Sequence, residues 1–129
     1  MMKFYIVSSF GNVEQVRTLS RQLTLKGWTH TYDWTQYGRA DSLEKLAELG
    51  SLEVNAVKAA DVLVILLPAG KGSHTEFGIA LGLGKTIYLY SPTNHIYDCD
   101  QTSTFYHVEG VHKFEGEFED FIEYLLEEL

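Results

Sequence analysis

Six consecutive apolar residues, Val62 to Leu67, stand between a stretch of helical periodicity and a glycine-rich turn. A run with no polar interruption has no face to offer water, which is the pattern of a strand buried on both sides. It is far too short to cross a bilayer, which takes about 20 residues. Burial on both sides demands helices above and below, so this run commits the chain to a layered α/β arrangement.

Strand and helix patterns alternate around it. Lys3 to Ser8 reads as a strand closed by the turn SSFGN. Asn12 is placed to cap a helix with the stripe Val13, Val16, Leu19 and Leu23, ending near Lys26 and Gly27. Trp28 to Trp34 alternates aromatic and histidine side chains with Thr29, Thr31 and Asp33, a period-two strand. After TQYGRA, Asp41 to Glu44 (DSLE) fits a capping box. The stripe Leu43, Leu46, Ala47, Gly50, Val54 and Val57 then carries a helix to Ala60, with Gly50 a point where it could divide. Ser73 to Gly84 reads as a helix, Thr86 to Ser91 as a strand, and 92–110 as polar and irregular. His112 to Phe114 is a short last strand, and a closing helix puts Phe118, Phe121, Ile122, Leu125 and Leu129 on one face. Right-handed crossovers make the expected architecture a doubly wound, flavodoxin-like three-layer sandwich. Its parallel sheet has about five strands in the order 2-1-3-4-5, the common order for such folds. The 129 residues read as a single domain, with no internal repeat or linker.

Charge is unevenly spread. From Phe114 onward there are seven acids and no Lys or Arg, so most of the net −8 belongs to the C-terminal helix, as a solvated face. The other 113 residues hold eleven acids against ten bases. No basic stripe exists to follow a polymeric nucleic acid, whereas a mononucleotide needs only a few local donors. Cys99 is the one cysteine, which excludes an internal disulfide. The five histidines lack the spacing of a zinc site, so no metal or other cofactor is expected. The N-terminus reads directly into a strand, which makes the cytoplasm the expected location and a membrane partner unexpected.

In such a sheet ligands bind beyond the carboxyl ends of the strands. That rule selects Ser8–Asn12, Asp33–Arg39, Pro68–Glu76 and Ser91–Asn94, a set that suits a small polar ligand with a flat ring. The third segment overlaps GKGSHTEFG, residues 70 to 78. It lacks the last glycine of the dinucleotide fingerprint and follows the third strand rather than the first. Gly84-Lys85-Thr86 resembles the end of a phosphate loop, but Ile79 replaces the glycine required five positions earlier. Glu76 has two readings at this point. Ser73 to Glu76 (SHTE) fits a capping box, worth about 1 kcal/mol. Alternatively Glu76 stands at the mouth of the sheet as a nucleophile for an electrophilic carbon.

The block from Leu52 to Pro92 resembles the nucleoside 2-deoxyribosyltransferase family, which includes deoxynucleoside-monophosphate N-glycosidases. The features that match are Glu53, eight residues before Asp61 in the Ala60-Asp61 pair that opens the apolar strand, and the glycine turn. Gly72, Glu76, Gly78 and Ala80 then follow in the order G-x-x-x-E-x-G-x-A. FYIVSSF is similar to the family's tyrosine strand and ligand loop, which puts Tyr5 on the family tyrosine. The resemblance spans residues 3 to 92.

It implies retaining cleavage of an N-glycosidic bond, the sugar passing through an ester on Glu76 to another base or to water. Tyr5 would orient that carboxylate and Glu53, where the family usually has Asp, would protonate the departing base. Ser8, Ser9, Phe10, Gly11, Asp33, Trp34, Tyr37, Gly70, Lys71, Gly72, His74 and Ser91 would bind substrate. Trp34 and Tyr37 would stack on the base, and His74 would orient the turn or helix start. Deoxyribosyltransferases tend to carry an Asp six residues before the nucleophile, and here Gly70 is followed by Lys71. That exchange favours a 5′-phosphate, with Ser8, Ser9, Lys71 and Ser91 as donors. The resemblance also implies a homodimer or larger assembly. A non-catalytic nucleotide sensor of the same fold, and a glycohydrolase cleaving nicotinamide dinucleotides, stay open as alternatives.

Overall fold

The apolar run becomes the centre of the sheet. In the computed structural model, which describes residues 2–129, strand β3 (Val62–Leu66) is buried at every residue. It pairs in parallel with β1 (Lys3–Ser8) on one side and β4 (Thr86–Ser91) on the other. Strands β2 (Thr29–His30) and β5 (Val111–Glu115) complete a five-stranded parallel sheet in the order β2-β1-β3-β4-β5. The expected doubly wound architecture and strand order are those observed.

Two cores result from the pleat. Tyr5, Val7, Leu63, Ile65, Ile87 and Leu89 point to one face and pack with Ala56, Val57, Phe77 and Ala80. Those partners belong to α2 (Leu43–Ala59) and α3 (Lys71–Gly82). Phe4, Ile6, Val64, Leu66, Tyr88 and Tyr90 point the other way. They meet Val16, Leu19 and Leu23 of α1 (Val13–Leu25) and Phe121 and Leu125 of α4 (Phe118–Glu128). Asp61 accepts from the Lys3 backbone N–H at 2.9 Å, joining β1 and β3 at their amino ends, away from any ligand. No helix among the described residues is long and apolar enough to cross a membrane.

Local departures from the sequence pattern each have a physical cause. The seven-residue second strand shrinks to two, because Trp34–Gln36 forms a 3-10 turn capped by Asp33. The aromatic residues there leave the sheet to pack on one another. Ser42, not Asp41, caps α2, accepting from Lys45 N–H at 3.1 Å. Helix α2 runs unbroken through Gly50, yet its first half is poorly covered, with Leu43 85% and Leu46 53% exposed. Asn12 stands at the start of α1 without a side-chain cap bond. Its amide donates instead to Ser8 Oγ (2.9 Å) and Pro68 O (3.0 Å). Helix α3 begins two residues before the expected Ser73, with Gly70 at its N-cap. The SHTE capping box therefore does not form, and Ser73 and Glu76 are free for other contacts.

Candidate active site

A cleft of roughly 350 Å³ opens at the carboxyl ends of β1 and β3, between which the strand order reverses. Hydroxyl bonds tie its floor together. Ser8 Oγ donates to Leu66 O (2.7 Å), and Ser73 Oγ donates to Ser8 O (2.9 Å). The second bond pins the first turn of α3 to the end of β1. Glu76, three residues after Ser73, projects from the same side of the helix into the cleft.

Glu76 is 8% exposed, and its Oε2 has no hydrogen-bond partner among the described residues. Two polar groups face its carboxyl. One is the phenol of the fully buried Tyr5, the other the half-buried carboxyl of Glu53 on α2. Burial pushes the Glu76 pKa up to about 8; the Tyr5 hydroxyl opposes this by donating to the carboxylate, and the Glu53 charge adds to the rise. Burial also raises Glu53, against the lowering effect of its hydrogen bond with Glu76. Burial first, and then the charge of Glu76, raise the Tyr5 pKa, so the phenol stays protonated as a donor. Two carboxyls this close share protons unequally, the standard means of keeping an acid and a carboxylate side by side.

Aromatic rings wall the cleft. Phe10 meets Trp34 edge-on (5.6 Å between centroids, 85°), and Tyr32 stacks on Tyr37 (5.7 Å, 14°). Trp34 Nε1 donates to Ile6 O at 2.8 Å, which anchors the ring to β1. Phe10 and Tyr37 remain 62% and 51% exposed, a large apolar surface left open to a flat ligand. Ser8, Ser9, Gly70, Lys71 and Gly72 also line the cleft. The N–H groups of the first turn of α3, which has no side-chain cap bond, and one lysine make a positive pole there.

The expected site residues divide. Glu76, Glu53, Ser8, Ser9, Phe10, Trp34, Tyr37, Gly70, Lys71 and Gly72 line the cleft, and Tyr5 lies beneath Glu76. Gly11 is a neighbour of the lining rather than part of it, within the turn Phe10–Asn12. Asp33 is spent on its own turn, accepting from Thr35 N–H (3.0 Å) and from Gln36 Nε2 (3.2 Å). Ser91 and His74 line a second cleft of roughly 370 Å³ on the other side of the Pro68 turn. Ser91 Oγ donates there to Thr93 O (2.6 Å). His74 bonds Gly70 O through Nδ1 (2.8 Å) and Tyr106 OH through Nε2 (2.6 Å), which ties the start of α3 to Tyr106. Val7, Tyr32 and Leu49 line the cleft without having been singled out, together with Gly38 and Ser73 from the segments selected at the strand ends. The alternation that marks Trp28 to Trp34 already carries Tyr32 to the carboxyl end of its strand. Leu49 and Val7 have no local signal. Among the described residues, no group of three His, Cys, Asp or Glu side chains is arranged to hold a metal ion.

No protein-family model matches the chain, and no curated protein does. Solved structures do match. The CMP N-glycosidase BcmB of Clostridium botulinum superposes with a TM-score of 0.66 at 18% identity, over 95% of this chain and 97% of that one. This chain shares its fold with N-glycosidase and 2-deoxyribosyltransferase structures. A 2-deoxyribosyltransferase of Bacillus psychrosaccharolyticus aligns at 24% identity and TM-score 0.67, over 95% of this chain and 91% of its own. A conserved protein of Enterococcus faecalis V583 aligns at 16% identity and TM-score 0.67, over 100% and 99%.

Proposed function

We propose that this chain cleaves the N-glycosidic bond of a nucleoside 5′-monophosphate through a glycosyl ester on Glu76. The observation that carries the proposal is the buried, unpartnered Glu76 Oε2 at the floor of an aromatic-walled cleft, faced by Tyr5 and Glu53. The fold shared with an N-glycosidase and a deoxyribosyltransferase supports the reaction class. Burial raises both carboxyls and so keeps a proton within the Glu76–Glu53 pair. Substrate binding settles it on Glu53, which leaves Glu76 a carboxylate and Glu53 an acid. Glu76 then attacks C1′ as the C1′–N bond breaks, and the Glu53 proton goes to the departing base. Water attacks C1′ of the ester, Glu53 takes the water proton, and Glu76 departs as a carboxylate; a second base in place of water gives transfer. The positive pole around Lys71 favours a 5′-phosphate, and the open space about Gly70 and Gly72 leaves room for it.

The same reading includes a homodimer. Leu43, Leu46 and Leu52 lie exposed along α2, beside the cleft residues Leu49 and Glu53 of the same helix. The acid-rich C-terminal segment lies in the other layer, so a contact on this face keeps the most acidic segments of two copies apart. Sedimentation velocity at tens of micromolar reads the assembly directly, and a monomer there would overturn it.

The deciding assay incubates the wild type and Glu76→Gln with nucleosides, nucleoside 5′-monophosphates and NAD, with product sugars identified by mass spectrometry. Monophosphate cleavage that falls by about 10⁴-fold in the variant is the expected result. Tight monophosphate binding with no turnover would instead make the chain a sensor, and cleavage of NAD alone would reassign the substrate.

A further inference from the structure

The aromatic wall of the cleft stands on the weakest part of the sheet. Strand β2 pairs with β1 through only Lys3–Thr29 and Phe4–His30, and the chain then turns at Trp34–Gln36. Beyond the bond from the Trp34 indole N–H to Ile6 O, sheet pairing does not fix this wall. A side chain from another element holds the turn between its two rings. Arg17 on α1 reaches across 18 residues of sequence to the middle of this turn, its Nε donating to Thr35 Oγ1 (3.3 Å) and its Nη2 to Thr35 O (2.9 Å). Thr35 is only 9% exposed, and its own hydroxyl donates to Asp33 Oδ1 at 2.5 Å. Asp33 Oδ1 also accepts from the Thr35 N–H. The turn is thus held between a guanidinium on one side and a carboxylate on the other, both acting through Thr35. Charge-assisted bonds of this kind are the stronger class, and a planar two-donor group holds an orientation that a single point charge does not. Trp34 immediately precedes Thr35 and Tyr37 follows it by two residues, so the clamp grips the wall at its centre.

We propose that Arg17 is a positioning residue for the ligand's ring: through Thr35 and Asp33 it fixes the spacing of the Trp34 and Tyr37 walls, and so sets affinity for the base while leaving the sugar-phosphate end untouched. This rests on the nucleotide reading above. It also gives Asp33 its task, which is to brace the wall. The Arg17 contact with Glu14 (3.2 Å) lies on the exposed helix surface and contributes little.

Calorimetric binding to the Glu76→Gln protein, in which turnover is blocked, separates the two ends of the ligand. Arg17→Met in that background keeps the apolar stem and removes the donors. The expected result is a loss of about tenfold or more in affinity for a nucleoside 5′-monophosphate, the scale of a disturbed stacking contact. Affinity for ribose 5-phosphate, which has no ring to stack, stays within about twofold, and Arg17→Lys falls between wild type and Met. Equal losses for both ligands, or no loss for the nucleotide, would overturn the proposal. If the unsubstituted protein binds neither ligand, the nucleotide reading fails by itself. The clamp is then judged by acrylamide quenching of Trp34 in a Trp28→Phe background: easier quenching in Arg17→Met upholds it, and unchanged quenching rejects it.

Discussion

Two clefts of nearly equal size, roughly 350 and 370 Å³, sit side by side at the carboxyl edge of the sheet, separated by the turn at Pro68. They differ in how their polar groups are used. In the second, His74 has both ring nitrogens engaged, Tyr106 is bonded to it, and Ser91 is closed onto Thr93. In the first, two carboxyls face one another, and Glu76 Oε2 is buried without a partner. A buried polar atom left unpaired costs about 1–3 kcal/mol. The second cleft spends its hydrogen-bonding capacity on holding loops, and the first keeps it in reserve. The difference teaches that volume does not distinguish a site from a structural gap, whereas unspent polarity does.

Substitutions can test that contrast. The largest expected effect is on Glu76. Its folded-state pKa of about 8 lies above the ordinary 4.5, so the native protein keeps a proton that the unfolded chain releases between those values. Wild-type stability should therefore decline as pH rises from about 4.5 to about 8, by an amount on the order of a few kcal/mol. Glu76→Gln should abolish most of that slope and keep Tm at or above the wild-type value at pH 8, measured by thermal melts across pH. A fall in Tm would mean that the carboxylate stabilises the fold, and the two clefts would not differ in kind. Next comes Tyr5→Phe, which removes the donor that holds the Glu76 pKa down. The acid limb of the kcat/KM profile should move to higher pH, and turnover should fall about 10- to 100-fold, the worth of a hydrogen bond to a charged group. An unmoved limb would sever Tyr5 from Glu76. The smallest effect belongs to the second cleft. Tyr106→Phe loses one bond to His74 and should cost about 1 kcal/mol in a denaturant melt. Its turnover should stay within about twofold of wild type, and a large loss would make the second cleft part of the site.

The sequence carried the layers, the strand order and most of the cleft because those follow from periodicity and from the rule for carboxyl ends. The run Val62 to Leu67 needs no partner to be read as a buried strand. Errors came where one pattern serves two purposes. SHTE has the spacing of a capping box, but Gly70 starts α3 earlier, and Ser73 turns to the Ser8 carbonyl. Asp33 sits at a strand end, the right place for a ligand contact, yet its carboxylate is consumed within three residues of itself. Ser91 ends its strand beside the second cleft, because β4 lies one strand beyond the reversal. Other features had no local trace at all. The bonds from Arg17 to Thr35 and from His74 to Tyr106 span 18 and 32 residues, and no periodicity encodes them.

The pleat of β1 has a consequence for how this chain can change over generations. Tyr5 and Val7 face the α2–α3 layer, whereas Phe4 and Ile6 face α1 and α4. Inserting or deleting one residue between Phe4 and Ser8 would exchange the two sets, since neighbouring positions point to opposite sides. An isoleucine or a phenylalanine would then lie under Glu76, and the tyrosine hydroxyl would be sunk in hydrocarbon on the far face. A change of two residues restores the parity, although it displaces the loop that follows. Length variation in this strand should therefore be confined to even steps.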